Sequence, residues 1–300
     1  MSVVETQSAP RQTGTGAVVN DFSITAATVN GSGSQTANNV IVRALFKMGI
    51  PVSGKNIFPS NIKGLPTWFQ IRVSKDGYIA RQDKVSILIA MNFSTAAEDV
   101  SKVEPGGVVI HPDDWRVTFS RDDLIYYPIP VKQIVKDSGA PNRLRDYVAN
   151  MVYVGAFAQL FGIPLEYIKE AISHFLGGKE KAVQLNLSVV ELAEAYVRDN
   201  LTKQDPFFVE PMDKTDGMIM IDGNAAAALG AVFGGVSVIA WYPITPSTSL
   251  IDSARMFLDR LRRDPETGNA TYAIVQAEDE LAAIGMVLGA GWAGARSMTA

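Results

Sequence analysis

The stretch VSVIAWYPITPSTSLIDSARMFLDRL, residues 236–261, holds the pattern on which the fold turns. Val236 to Trp241 is a short apolar run, the length of a buried strand rather than of a helix. A loop with Pro243, Pro246 and a series of hydroxyls follows, and then Leu250 to Arg262 places Ile251, Ala254 and Leu258 at helical spacing. The unit repeats: a helix over Asn224 to Phe233 precedes it, a strand over Thr271 to Gln276 and a helix over Glu280 to Gly289 come after, and a strand enters at Arg296 to Thr299. Short apolar strands alternating with helices predict a parallel sheet covered on both faces.

In such a sheet, ligands collect outside the carboxyl ends of the strands. Two segments stand there. Tyr242-Pro243-Ile244-Thr245-Pro246-Ser247-Thr248-Ser249 follows one strand, and its two prolines hold the hydroxyls in place at low entropic cost. Gln276-Ala277-Glu278-Asp279-Glu280 follows the next, so Glu278 could project into the same crevice as Thr245. Each has an ordinary structural reading as well: Ser247 or Thr248 as a helix cap, and any of the three acids as a complement to the helix dipole. Composition does not choose among Glu278, Asp279 and Glu280.

Working toward the amino terminus, Asp199 to Asp222 loses periodicity, carries Pro206 and Pro211, and reads as a connection between domains, with the linker proper at 201–222. Before it, residues 21–200 read as an α/β domain with a mixed sheet and a helical end. Strands are expected at Phe22 to Val29, Trp68 to Ser74, Val85 to Ala90, Val108 to Ile110 and Tyr126 to Ile129. Helices are expected from Ala37 to Met48, where Gly49 and Pro51 stop the chain, and over Asn142 to Phe161, Leu165 to Phe175 and Glu180 to Arg198. The turn Gly31-Ser32-Gly33-Ser34-Gln35 lies between the first strand and the first helix, where free N–H groups can meet an anion. It lacks the third glycine and the downstream acid of a dinucleotide fingerprint, which leaves a structural turn and a ligand loop both open. Ser53 to Pro66, with Lys55, Asn56 and Lys63, reads as a polar loop, either a plain surface loop shaped by glycine and proline or one that binds a phosphorylated ligand or docks a subunit. Residues 1–20 read as a flexible leader. Residues 223–300 are few for a domain of this class, so the chain is expected to be truncated after residue 300.

Composition narrows the chemistry. A hydrophobic content of 47% over 300 residues excludes general disorder, and 27 basic against 31 acidic side chains, a formal charge of -4, gives no electrostatic signature for nucleic acid or an anionic membrane. Cysteine is absent, which removes cysteine-ligated iron–sulfur clusters, thiolate zinc and cysteine nucleophiles from this chain. The two histidines, His111 and His174, read as structural, and Trp68, Trp115, Trp241 and Trp292 as packing residues. Without a signal pattern, and with apolar runs too short to cross a bilayer, a cytoplasmic protein is expected.

Tyr242 to Ser247, then Gln276-Ala277-Glu278, then Gly289 to Ala300 closely resemble the pyrimidine-binding domain of 2-oxoacid:ferredoxin oxidoreductases. The Gly31 to Gln35 turn and the Lys55 to Trp68 segment resemble the gamma domain of the same enzymes, in the order found where gamma is fused ahead of alpha. The resemblance covers residues 21–300. It implies a gamma-type α/β domain with a mixed sheet, followed by the start of a thiamine-diphosphate-binding α/β domain with a parallel sheet. It implies that Glu278 contacts the aminopyrimidine ring of thiamine diphosphate and favours the imino tautomer, with Thr245 beside the reacting carbon and Tyr242, Pro243, Ile244 and Pro246 forming the wall around it. Arg296 is the further candidate for substrate. Gly31, Gly33, Ser34, Gln35, Lys55 and Asn56 would lie on the coenzyme A side. The Mg²⁺-diphosphate half of the cofactor and a [4Fe-4S] cluster would belong to a beta subunit, in a (gamma-alpha)2 beta2 heterotetramer that reduces ferredoxin. The fused layout resembles 2-oxoglutarate enzymes that make succinyl-CoA and CO2. Pyruvate or another 2-oxoacid, a non-catalytic scaffold and a nicotinamide dehydrogenase are the competing expectations.

Overall fold

A computed structural model describes residues 16–58, 63–115 and 119–300. Most of the expected leader, and Pro59 to Ile62 of the expected polar loop, fall outside the described residues. The chain divides into two compact units, Met1–Met218 and Ile219–Ala300.

The first unit runs β1 (Val18–Val19), β2 (Asp21–Val29), α1 (Ser34–Lys47), β3 (Val52–Ile57), β4 (Pro66–Ser74), β5 (Val85–Ala90), α2 (Ala96–Ser101), β6 (Val103–Pro112), β7 (Ile125–Ile129) and α3 (Val131–Asp137). A 3-10 turn at Asn142–Leu144 then leads into α4 (Arg145–Val148), α5 (Asn150–Phe161), α6 (Leu165–Phe175), α7 (Glu180–Asn200) and β8 (Phe207–Phe208). Six strands form one sheet in the order β3-β4-β2-β5-β6-β7. It is mixed: β4 runs antiparallel to β2 and β3, while β2, β5, β6 and β7 are parallel.

Alternation along the strands sorts the two faces. Phe22, Ile24 and Ala26 of β2, with Phe69, Ile71 and Val73 of β4, face a core completed by α1, α5, α6 and α7. Ala27, Leu88, Ala90 and Val109 face a second, smaller core with α2. Helix α5 crosses α7 at Gly155, where a Cβ would stand 2.3 Å from the Val190 carbonyl oxygen.

Two expectations change on contact with the structure. Residues 52–57 are not loop but the edge strand β3, because Gly54 lets the backbone lie against the Phe69 ring, 2.8 Å from where a Cβ would be. The expected helix over Asn142 to Phe161 is broken into three pieces. The segment after α7 is fastened to the first unit: the Asp205 carboxylate accepts bonds from Tyr127 Oη (2.7 Å), Lys203 Nζ (2.7 Å) and the Phe207 N–H (3.0 Å). Further on, Met212 and Lys214 donate backbone bonds to Met48 and Gly49 at the end of α1.

The second unit runs α8 (Gly223–Phe233), β9 (Val238–Trp241), α9 (Thr248–Leu261), β10 (Ala273–Gln276), α10 (Glu280–Trp292) and β11 (Ser297–Met298). The strands form a parallel sheet in the order β10-β9-β11. Ile239 and Trp241 bury against Ala228 and Val232 of α8 and Ile251, Ala254 and Leu258 of α9. Helix α10 is apolar yet buries only Ala283, and Trp292 at its end is 96% exposed, so this tryptophan is not the packing residue expected of it. The two units are therefore both α/β, one on a mixed sheet and one on a parallel sheet. Among the described residues no helix is long and apolar enough to cross a membrane.

Candidate functional site

In the second unit β9 and β10 end level with each other. Gln276 pairs with Trp241, and the Ala277 N–H reaches the Trp241 carbonyl at 2.8 Å. The Tyr242–Pro246 loop and the Glu278 turn thus leave neighbouring strands at the same edge of the sheet, with strand axes about 4.8 Å apart.

Hydrogen bonding separates the side chains that build this edge from those it leaves free. Ser247 Oγ donates to the Ile244 carbonyl at 2.9 Å, Ser249 Oγ to the Pro246 carbonyl at 3.1 Å, and Asn224 Nδ2 to both Pro246 O (2.9 Å) and Ser249 Oγ (2.6 Å). These groups shape the loop. Ser247 occupies the cap position of α9 but its side chain does not cap the helix. The Thr245–Pro246 bond is cis, and Thr245 is exposed with no bond to its hydroxyl among the described residues.

The acids separate in the same way. Asp279 Oδ1 caps α10 by accepting from the Ala282 N–H at 2.7 Å, and Glu280 begins the helix. Glu278 is exposed and has neither a hydrogen bond nor an ion pair among the described residues. Among the described residues the edge therefore offers the Glu278 carboxylate and the Thr245 hydroxyl without internal partners, beside the exposed Ile244 side chain and the partly covered Tyr242; Glu280, in the first turn of α10, is likewise exposed and makes no side-chain bond.

Arg296 is not brought to them. It precedes β11, whose Ser297 pairs with Val238, so it lies at the opposite end of the sheet from Thr245 and Glu278. Its Nη1 donates to the Gly234 carbonyl at 2.5 Å, and its own carbonyl accepts from the Ser237 N–H at 2.8 Å.

In the first unit, Gly31 and Gly33 take φ values of +79° and +86°, which only glycine adopts freely. A Cβ on Gly31 would also stand 2.8 Å from Lys63 Cγ. The turn is fastened from within: Thr28 Oγ1 donates to Ser34 Oγ at 2.8 Å, and Asn150 Nδ2 to the Ser32 carbonyl at 2.8 Å. Ser34 is buried, so its hydroxyl holds the turn, whereas Gln35 is exposed.

Lys55 and Asn56 stand elsewhere on the sheet. Lys55 pairs with Gln70, which pairs with Thr25 of β2. Thr25 lies four residues, about 13 Å along a strand, before Val29 at the end of β2. Asn56 Oδ1 accepts from Thr67 Oγ1 at 3.2 Å. Lys55 instead lines a polar cleft with Ser23, Gln70, Arg72, Arg81 and Lys84. Sequence reasoning missed this cleft, although its signal was present: Ser23 and Thr25 alternate with Phe22 and Ile24, and Gln70 and Arg72 alternate with Phe69 and Ile71.

His111 packs against the rings of Trp115, Phe119 and Tyr126, and burial holds its pKa below the usual value. Among the described residues no group of three or more His, Cys, Asp or Glu side chains is placed to hold a metal.

With this geometry in place, comparison with known proteins is informative. The family described as "Pyruvate ferredoxin/flavodoxin oxidoreductase" matches residues 23–196, and "Pyruvate flavodoxin/ferredoxin oxidoreductase, thiamine diP-bdg" matches residues 229–300. The 2-oxoacid:ferredoxin oxidoreductase 2, subunit alpha, of Aeropyrum pernix is 27% identical over 93% of this chain and 50% of its own length. The 2-oxoglutarate synthase subunit KorA of Methanothermobacter thermautotrophicus is 45% identical over 27% of this chain and 19% of its own length. A solved structure, 2-oxoglutarate:ferredoxin oxidoreductase from Magnetococcus marinus with 2-oxoglutarate, coenzyme A and succinyl-CoA bound, superposes with a TM-score of 0.81 at 31% identity, covering 93% of this chain and 47% of that one. The chain spans about half the length of the relatives that it matches from end to end.

Proposed function

The chain belongs to the pyruvate ferredoxin/flavodoxin oxidoreductase family, and from that premise we propose that it is the fused gamma-alpha part of a 2-oxoacid:ferredoxin oxidoreductase acting on 2-oxoglutarate. The observation that carries the reading is the pair Glu278 and Thr245, exposed and without internal partners at the level ends of two parallel strands. The second unit's match to a thiamine-diphosphate-binding family supports it.

The side chains present fit the aminopyrimidine half of thiamine diphosphate. A free carboxylate at Glu278 can accept a hydrogen bond from a protonated ring nitrogen, and Ile244 and Tyr242 offer an apolar edge for the ring. Among the described residues no group of three or more His, Cys, Asp or Glu side chains is placed to hold a metal. We assign that half, with a [4Fe-4S] cluster, to a beta subunit. When bound, thiamine diphosphate supplies the electron sink for loss of CO2 from a 2-oxoacid. Glu278 would hold a ring nitrogen of the cofactor and favour its basic form, Thr245 would donate its hydroxyl to the substrate, and closure by the partner would keep water out. On the first unit, Gly31, Gly33 and Gln35 are assigned to the coenzyme A side, with Ser34 holding the turn.

For the substrate, the reading is supported by a 45% identical segment of a relative named 2-oxoglutarate synthase and by the superposed enzyme that binds 2-oxoglutarate. The test is reconstitution of the complex with ferredoxin and coenzyme A, assayed with 2-oxoglutarate and pyruvate in parallel. A kcat/KM at least tenfold higher for 2-oxoglutarate is expected. Preference for pyruvate would overturn the substrate assignment, and turnover of neither would overturn the catalytic one.

A further inference from the structure

Much of the segment that leads from α7 toward the second unit is built into the first. Phe207 and Val209 belong to the main core, and the Phe207 ring meets Phe22 edge-on with centroids 5.6 Å apart. Strand β8 pairs in parallel with β1, so the two ends of the first unit lie side by side. Beyond β8 the chain follows the end of α1. The Met212 N–H reaches the Met48 carbonyl at 2.8 Å, the Lys214 N–H the Gly49 carbonyl at 3.0 Å, and Thr215 Oγ1 the Phe46 carbonyl at 2.8 Å. The crossing leaves no room for a side chain: a Cβ on Gly49 would stand 1.8 Å from the Met212 carbonyl oxygen.

One residue joins the two ends. Asn20 is 3% exposed and takes a φ of +51°, a left-handed conformation that asparagine tolerates better than most residues. Its N–H donates to the Phe208 carbonyl at 3.0 Å, and its carbonyl accepts from the Lys75 N–H at 2.6 Å. Its side-chain amide meets both backbone groups of Glu210, with Nδ2 donating to the carbonyl at 2.7 Å and Oδ1 accepting from the N–H at 3.0 Å. The amide thus stands in for the next residue of a paired strand, at the point where β1 has ended. Past Thr215 the fastening stops. The Met218 N–H turns back to the Thr215 carbonyl at 3.0 Å, and the N–H groups of residues 219–222 have no acceptor among the described residues. Met218, Ile219, Met220 and Ile221 are exposed.

We propose that residues 210–215 are a strap closed by Asn20 as its latch, and that residues 216–222 alone are the free tether between the units. An open strap frees residues 210–222, a tether about twofold longer, and lowers the effective concentration of one unit at the other about threefold. All of these bonds lie within the first unit, so the strap stands apart from the thiamine reading of the second. The test is amide hydrogen exchange on the whole chain, wild type and Asn20→Gly. Glycine accepts the same backbone conformation, so the variant loses only the bonds of the amide. In the wild type the Glu210, Met212 and Lys214 amides are expected to exchange about 100-fold or more slowly than those of residues 219–222, and equal rates would overturn the strap. In Asn20→Gly the same three amides are expected to speed up about tenfold or more, the effect of one or two lost hydrogen bonds, while those of β5 keep their wild-type rates. No acceleration would overturn the latch. If Asn20→Gly speeds exchange in β5 as well, Thr215→Val, which removes only the bond to Phe46, is read in its place: faster exchange confined to Met212 and Lys214 supports the strap, and unchanged exchange there overturns it.

Discussion

Glu278, Asp279 and Glu280 are chemically alike and adjacent, yet the fold uses them differently. Asp279 spends its carboxylate on the Ala282 N–H, Glu280 starts α10, and Glu278 is left over. Asp279→Ala is therefore expected to cost about 1 kcal/mol of stability, the usual value of a helix cap, read as a lower midpoint in denaturant unfolding. Glu278→Gln is expected to leave that midpoint within about 0.5 kcal/mol of wild type, as for an exposed residue with no contacts. An equal loss in both would mean that Glu278 has a structural role. Here the residue pattern by itself could name the cluster but not the member, and only the family resemblance singled out Glu278, because the choice depends on where the helix begins, and a shift of one residue moves the cap. Arg296 escaped for a related reason. Its place at the far end of the sheet follows from strand direction and register, which no local motif encodes.

Among the elements, long periodic segments were legible and the edge strand was not. Val85 to Ala90 and Leu165 to Phe175 stand where the apolar pattern put them. Strand β3 carries Ser53, Gly54, Lys55 and Asn56, a composition that reads as loop; pairing with β4 makes it a strand. The contact between α5 and α7 gives a sharper test. A Cβ on Gly155 would meet the Val190 carbonyl oxygen at 2.3 Å and Ala193 Cβ at 2.9 Å, and neither backbone nor methyl can swing aside. Gly155→Ala is expected to destabilise the first unit by about 3 kcal/mol, as overpacking does, and a thermal midpoint equal to wild type would contradict this packing. Helix α7 also carries a pH dependence. Burial, with Glu191 adding to it and Arg198 opposing, pushes the Glu194 carboxyl up to about 7. The folded state then keeps a proton that the unfolded chain releases near its ordinary value, so stability falls as pH rises between about 4.5 and 7 and is not recovered above that. Discounted for solvent screening of a half-buried group, the loss is about 1 kcal/mol. Glu194→Gln should remove it, which unfolding midpoints at pH 5 and pH 8 would show, and an unchanged pH profile in the variant would refute it.

For the whole molecule, one unit presents surfaces that its own residues leave incomplete. In the second unit, α10 buries Ala283 alone while Leu281 and Trp292 are 81% and 96% exposed. The free Glu278 and Thr245 stand in the same unit. The absence of cysteine removes a cysteine-ligated cluster from this chain, and among the described residues no group of three or more His, Cys, Asp or Glu side chains is placed to hold a metal. The strand-loop-helix pattern at 236–261 was enough to put the Tyr242–Pro246 loop at the carboxyl end of a strand in a parallel sheet. The polar cleft of the first unit was not found, because four ordinary polar residues on two strands become a group only once the register aligns them. The most direct test of the central claim is deuterium exchange at the thiazolium C2 of thiamine diphosphate, measured in the reconstituted complex with wild-type and Glu278→Gln chains. Exchange slowed by about 100-fold or more, with the cofactor still bound, is the predicted result; equal exchange rates with the cofactor bound in both complexes would contradict it.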